Sequence, residues 1–170
     1  QGKKVYVGGT AVAQFRGREC VIEFSNPLQR ETVEFAGRQF PMAADFTAPL
    51  AMSLAKEKPK KLEILRLLNP QKYKETARLG RLEPYDPNKI PVLCVHGLAD
   101  SQATWVPLIN TLRGDPEIRK RYQFWFFSYP SGYPYFVSAG ILRQQLDEIG
   151  KAYPGHKKAV IIGHSMGGMI

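Results

Sequence analysis

Residues 158–168 read KAVIIGHSMGG, an apolar run that passes straight into Gly163, His164, Ser165, Met166, Gly167 and Gly168. Apolar residues in succession, without alternation, suit a strand buried on both faces of a parallel sheet. The small residues behind it suit a tight turn into a helix. In Gly-x-Ser-x-Gly at such a junction, the positions two residues either side of the serine must be glycine-sized. The serine itself is driven into a strained, exposed backbone conformation. Its hydroxyl then stands at the carboxyl edge of the sheet, where a base can take its proton and the helix start can stabilise negative charge.

Two further runs extend the same pattern upstream. Ile90 to Val95 (IPVLCV) is continuously apolar and ends in His96-Gly97, and Gln123 to Tyr129 (QFWFFSY) ends in the turn Pro130-Ser131-Gly132. Between them, Ala103 to Leu112 carries Trp105, Leu108, Ile109 and Leu112 at helical spacing. Phe136 to Tyr153 does the same with Val137, Ile141, Leu142, Leu146, Ile149 and Tyr153, and Pro154-Gly155 stops it. Strand, helix, strand, helix, strand, helix start predicts an α/β fold with a mostly parallel sheet covered on both faces. An acyl-transfer site needs two backbone N–H donors aimed at the oxyanion. The residue after the serine, Met166, supplies one, and the loop after Ile90 to Val95 supplies the other, assigned to Leu98. Gly163, Gly167, His96 and Gly97 support the motif, and His164 is expected to pack beneath the turn. His156 reads as an exposed loop residue.

The stretches VLCVHGLADSQATW (92–105) and GHSMGGM (163–169) resemble the α/β-hydrolase superfamily, in its bacterial lipase and esterase branch. LEPYDPNKIPVLCVHGL (82–98) and RYQFWFFSYPSG (121–132) are similar to envelope-associated bacterial hydrolases with a β-rich segment before the hydrolase core. The resemblance covers residues 82–170 and is loose over 1–81. It implies a serine, acid, histidine triad in that chain order, with Ser165 as nucleophile, Leu98 and Met166 as oxyanion donors, and no metal or cofactor. It also implies a small-molecule or lipid ester as substrate. Asp100 lies in the oxyanion loop and Asp147 inside a crossover helix, so neither takes the role of the acid. The chain begins at Gln1 and ends five residues after Ser165. Both ends read as cut, so the triad acid and histidine are expected outside this stretch, which alone is expected to be inactive. Localisation stays open, with a bacterial envelope or membrane-associated setting favoured. A noncatalytic binding module on the same frame, or an acyltransferase, thioesterase or amidase, would use the same turn.

The remaining sequence sets the domain plan. Residues 1–48 form a β-rich lead-in with short extended pieces at Lys4 to Val7, Thr10 to Phe15, Cys20 to Phe24 and Thr32 to Phe35. Residues 49–81 read as a helical basic linker or peripheral layer, two short helices broken near Pro59. Residues 82–170 are the N-terminal part of the hydrolase-type domain, with Thr76 to Tyr85 as an outer strand leading in. The chain has 170 residues, enough for one domain with a sizeable core. Lys plus Arg exceeds Asp plus Glu by 24 − 15 = 9. Nine of these cations fall between Lys56 and Arg81, against three glutamates. That block is a solvated face or a contact for anionic lipid headgroups. Tyr73 is its one aromatic, too few for stacking on bases, so no nucleic-acid partner is expected. Cys20 and Cys94 match no disulfide or metal pattern and read as free structural thiols.

Overall fold

The computed structural model describes residues 8–57 and 59–170. The chain divides into two compact units, Gln1–Ser53 and Leu54–Ile170. The first is built from two antiparallel hairpins, β1 (Thr10–Arg16) with β2 (Glu19–Ser25) and β3 (Thr32–Phe35) with β4 (Arg38–Pro41). Ala36 and Gly37 both have positive φ, the two-residue type I′ geometry whose twist matches that of the flanking strands. The Thr10 hydroxyl donates to the Ala43 carbonyl at 2.5 Å. The β4 strand was not expected: four residues ending in Pro41 carry too little alternation to show in the sequence. The piece at Lys4 to Val7 lies outside the described residues.

Helix α1 (Ala48–Glu57) follows, capped by Asp45, whose carboxylate accepts from the Thr47 and Ala48 N–H groups. Pro59 begins α2 (Pro59–Leu68), so the break falls where proline demands a new first turn. A 3-10 turn over Pro70–Thr76 leads to β5 (Arg78–Arg81), shorter than the expected outer strand.

The second unit contains a four-stranded mixed sheet. Its strands are β5, β6 (Ile90–Val95), β7 (Tyr122–Ser128) and β8 (Val160–Gly163), in the order β5-β7-β6-β8. The last three are parallel, with Val95 opposite both Phe127 and Gly163, and β5 runs antiparallel on β7. A 3-10 turn over Gln102–Trp105, α3 (Val106–Gly114) and α4 (Pro116–Arg121) connect β6 to β7, and α5 (Tyr135–Ala152) connects β7 to β8. Asp115 separates α3 from α4 by capping the latter, a boundary the apolar spacing does not show.

The continuous apolar runs divide between two faces because side chains alternate along a strand. Val92, Cys94, Phe124 and Phe126 pack with Trp105 and Ile109 on one face, and Leu93, Val95, Trp125 and Phe127 pack with Tyr129 and Leu142 on the other. The result is an α/β arrangement with a mostly parallel sheet between helical layers. Leu108, assigned to the buried stripe of α3, is exposed instead. Burial raises the Cys94 thiol to about 11, so it stays protonated as a small hydrophobe. Cys20 is free and exposed.

The topology also selects a position for chemistry. The first crossover adds β7 on one side of β6 and the second adds β8 on the other, so the winding reverses at β6. In open α/β sheets, ligands bind outside the carboxyl ends of the strands at such a reversal. Here that crevice lies between the loops after β6 and β8.

Candidate active site

The loop after β8 is held by backbone contacts that leave no room for side chains at Gly163 and Gly167. The His164 N–H donates to the Val95 carbonyl at 3.0 Å, extending the β6–β8 ladder by one bond. The chain then turns at Ser165, whose φ of +54° is left-handed, a conformation that costs a non-glycine residue about 1 to 2 kcal/mol. A Cβ on Gly163 would stand 2.6 Å from Gly168 N, and one on Gly167 would stand 2.3 Å from the Val95 carbonyl oxygen. A short 3-10 helix, Ser165–Met169, follows where an α-helix start was expected. The Ser165 side chain is exposed, while the Met166 side chain packs into the core beside Leu93 and Val95.

The loop after β6 abuts this turn. A Cβ on Gly97 would come within 3.0 Å of the Ser165 Cβ and 3.2 Å of the His164 carbonyl oxygen. The structure thus brings Gly97, the residue before Leu98, alongside Ser165. His96 fixes the root of the loop: it is fully buried, its ring stacks on Tyr129 at 4.4 Å, and its carbonyl accepts from the Tyr129 hydroxyl at 2.7 Å. Burial pushes the imidazole down to about 4, so His96 is neutral near pH 7. Farther along, Ala99 adopts a φ of +53° and its N–H donates to the buried Ser131 hydroxyl at 2.9 Å. Sequence reasoning missed Tyr129 and Ser131 as supports of this loop. Their signal was the turn Tyr129-Pro130-Ser131-Gly132 directly after a buried strand.

Those supports rest in turn on α2. A Cβ on Gly132 would lie 2.3 Å from the Leu67 carbonyl oxygen, so helix and turn meet backbone to backbone. Arg66 is buried; its guanidinium donates to Glu63 at 2.8 Å, to the Ser128 hydroxyl at 2.9 Å and to the Thr76 carbonyl at 2.8 Å. Burial raises the Glu63 carboxyl above its ordinary range, opposed by the Arg66 charge. The expectation of one solvated or lipid-facing basic block over 56–81 is therefore corrected at Arg66, which is an interior tie. Lys58 lies outside the described residues.

The other histidines have different surroundings. His164 does not pack beneath the turn: its side chain is 59% exposed, with Nδ1 3.8 Å from the Asp100 carboxylate and its ring edge-on to Trp105. His156 is exposed in the loop after α5, as expected, with Nδ1 3.0 Å from the Lys157 carbonyl oxygen. Of the aromatic residues near the strand ends, Tyr129 and Tyr133 are buried supports, while Tyr135 and Phe136 are exposed.

A separate cleft of about 400 Å³ between β5 and α5, lined by Arg81, Trp125 and Tyr153, contains none of the expected site residues. Among the described residues, no group of three or more His, Cys, Asp or Glu side chains is arranged to hold a metal ion. No helix among them is long and apolar enough to cross a membrane. Comparison with protein-family models, with curated proteins and with solved structures gave no significant match.

Proposed function

We propose that this chain carries the nucleophile and oxyanion loops of a serine hydrolase of carboxylic esters, on an α/β-hydrolase frame of the lipase and esterase kind. The observation that carries the proposal is the left-handed Ser165 at the end of a parallel strand with Gly97 against its Cβ. A strained, exposed serine at a winding reversal has no packing role that would repay the strain. It does have the geometry of a nucleophile.

The chemistry follows from the two loops. Ser165 Oγ attacks the acyl carbonyl as a histidine base takes its proton, and the oxygen of the tetrahedral intermediate is held by N–H donors. Met166 supplies one donor. Leu98, in the loop after β6, is our assignment for the second, as the resemblance implies. Collapse of the intermediate returns the proton to the departing alkoxide and leaves an acyl-serine, which water then hydrolyses. Buried, neutral His96 is engaged with Tyr129, and its role is to hold the loop.

Turnover of p-nitrophenyl esters of increasing acyl length, by the protein expressed from its complete gene, tests the reading. Ser165→Ala should lower kcat by at least ~10³-fold, and equal turnover by the variant would refute the proposal. A maximum at long acyl chains supports a lipase, and one at short chains an esterase. The alternative is a noncatalytic binding module on the same frame. That alternative predicts no turnover with either protein.

A further inference from the structure

Over residues 63–68, helix α2 turns charge inward and apolar side chains outward. Its charged residues Glu63 and Arg66 are buried, while Ile64, Leu65 and Leu68 are 59%, 40% and 70% exposed. Positions i, i+1 and i+4 share one helical face, and here that face is opposite the ion pair. Single exposed apolar residues are ordinary. A contiguous stripe on a helix that faces its core with charge reverses the usual amphipathic arrangement.

The surroundings of the stripe indicate what covers it. The 3-10 turn after α2 exposes Lys72 and Lys74. Arg66 is neutralised internally by Glu63, while Lys72 and Lys74 follow Leu68 by four and six residues, with one exposed acid, Glu75, beside them. Apolar side chains bordered by lysines are the chemistry of a helix lying in the interface of an anionic bilayer. A polyanion such as nucleic acid has no use for the stripe, and Tyr73 alone offers no stacking platform. Three side chains also fall far short of the about 1,200 Å² with which stable protein–protein interfaces begin.

We infer that α2 and the turn after it dock this protein on an anionic phospholipid surface. Ile64, Leu65 and Leu68 enter the acyl boundary, and Lys72 and Lys74 meet the headgroups. The same helix reaches the candidate site in two steps, from Leu67 to Gly132 and from Ser131 to Ala99. Docking thus presents the Ser165 loops to membrane-resident acyl esters. That choice of substrate rests on the hydrolase reading, whereas the docking itself does not.

Flotation of the chain with phosphatidylcholine vesicles, with and without about one third phosphatidylglycerol, tests the inference. The wild-type chain should float with the anionic vesicles. The variant Ile64→Ser/Leu65→Ser/Leu68→Ser should bind them at least ~10-fold more weakly at unchanged circular dichroism. Lys72→Glu/Lys74→Glu should lose ~10-fold or more in affinity together with most of the salt dependence. Ser165→Ala should float as wild type does, and it should do so even if ester turnover is never found, which would sink the hydrolase reading and leave the docking standing. Undiminished binding by the Ile64→Ser/Leu65→Ser/Leu68→Ser variant would overturn the inference, since adsorption would then need charge alone. Failure of the wild-type chain to float would overturn it too, as would a vesicle-free dimer, seen by light scattering, that the Ile64→Ser/Leu65→Ser/Leu68→Ser variant breaks.

Discussion

At Gly167 an added Cβ would sit 2.3 Å from the Val95 carbonyl oxygen, a backbone atom that cannot swing aside. Gly167→Ala must therefore move β6 or the turn, and a loss of about 2 to 3 kcal/mol is expected in urea denaturation. Gly97→Ala, at 3.0 Å from the Ser165 Cβ, is expected to cost less stability but to slow covalent modification of Ser165, because it pushes the nucleophile itself. His96 provides a pH test. Its imidazole falls from an ordinary 6.5 to about 4 on folding, so between these values the unfolded chain binds the proton and the folded chain does not. Its contribution is intact above pH 6.5 and fades as the pH drops towards 4, by about 3 kcal/mol in all. Denaturant midpoints measured from pH 7.5 to pH 4 should show this slope, and His96→Gln should flatten it. At this scale the sequence spoke clearly for Ser165 and its glycines, because a tight turn permits few residue types. It was silent on Ser131, whose role depends on a hydrogen bond to a residue 32 positions away.

The strands and long helices were legible because burial on two faces leaves unbroken apolar runs and burial on one leaves a helical period. The inward turn of Glu63 and Arg66 on α2 was not legible, for the opposite reason. Its interior holds the Glu63–Arg66 pair, and a charged residue turned inward looks in sequence like a charged residue turned outward. Arg66→Met should leave the Glu63 carboxylate buried without its cation, at a cost of about 3 to 5 kcal/mol, whereas Glu63→Leu/Arg66→Met together should recover most of that loss. Urea titration of both variants decides the point. If the single change were as mild as a surface substitution, α2 would not be tied to Ser128 and Thr76 as described.

Over the whole molecule, the sheet order β5-β7-β6-β8 leaves the outer edge of β8 without a neighbouring strand among the described residues, with Val160 and Ile161 exposed. Unpaired, apolar edges template association. Residues 1–170 prepared alone are expected to self-associate with rising concentration in light scattering, and Ile161→Lys to reduce that association. The crevice between the β6 and β8 loops was implicit in the alternation of runs, but the strand order that makes it the winding reversal was not, because apolar runs do not say which side of β6 each later strand joins.

The central claim is that Ser165 is an activated nucleophile. It is tested most directly by treating the protein expressed from its complete gene with a fluorophosphonate and mapping the adduct by peptide mass spectrometry. One adduct is expected, on the peptide containing Ser165, and none in Ser165→Ala. An adduct on another residue, equal labelling of both proteins, or no adduct on either would contradict it.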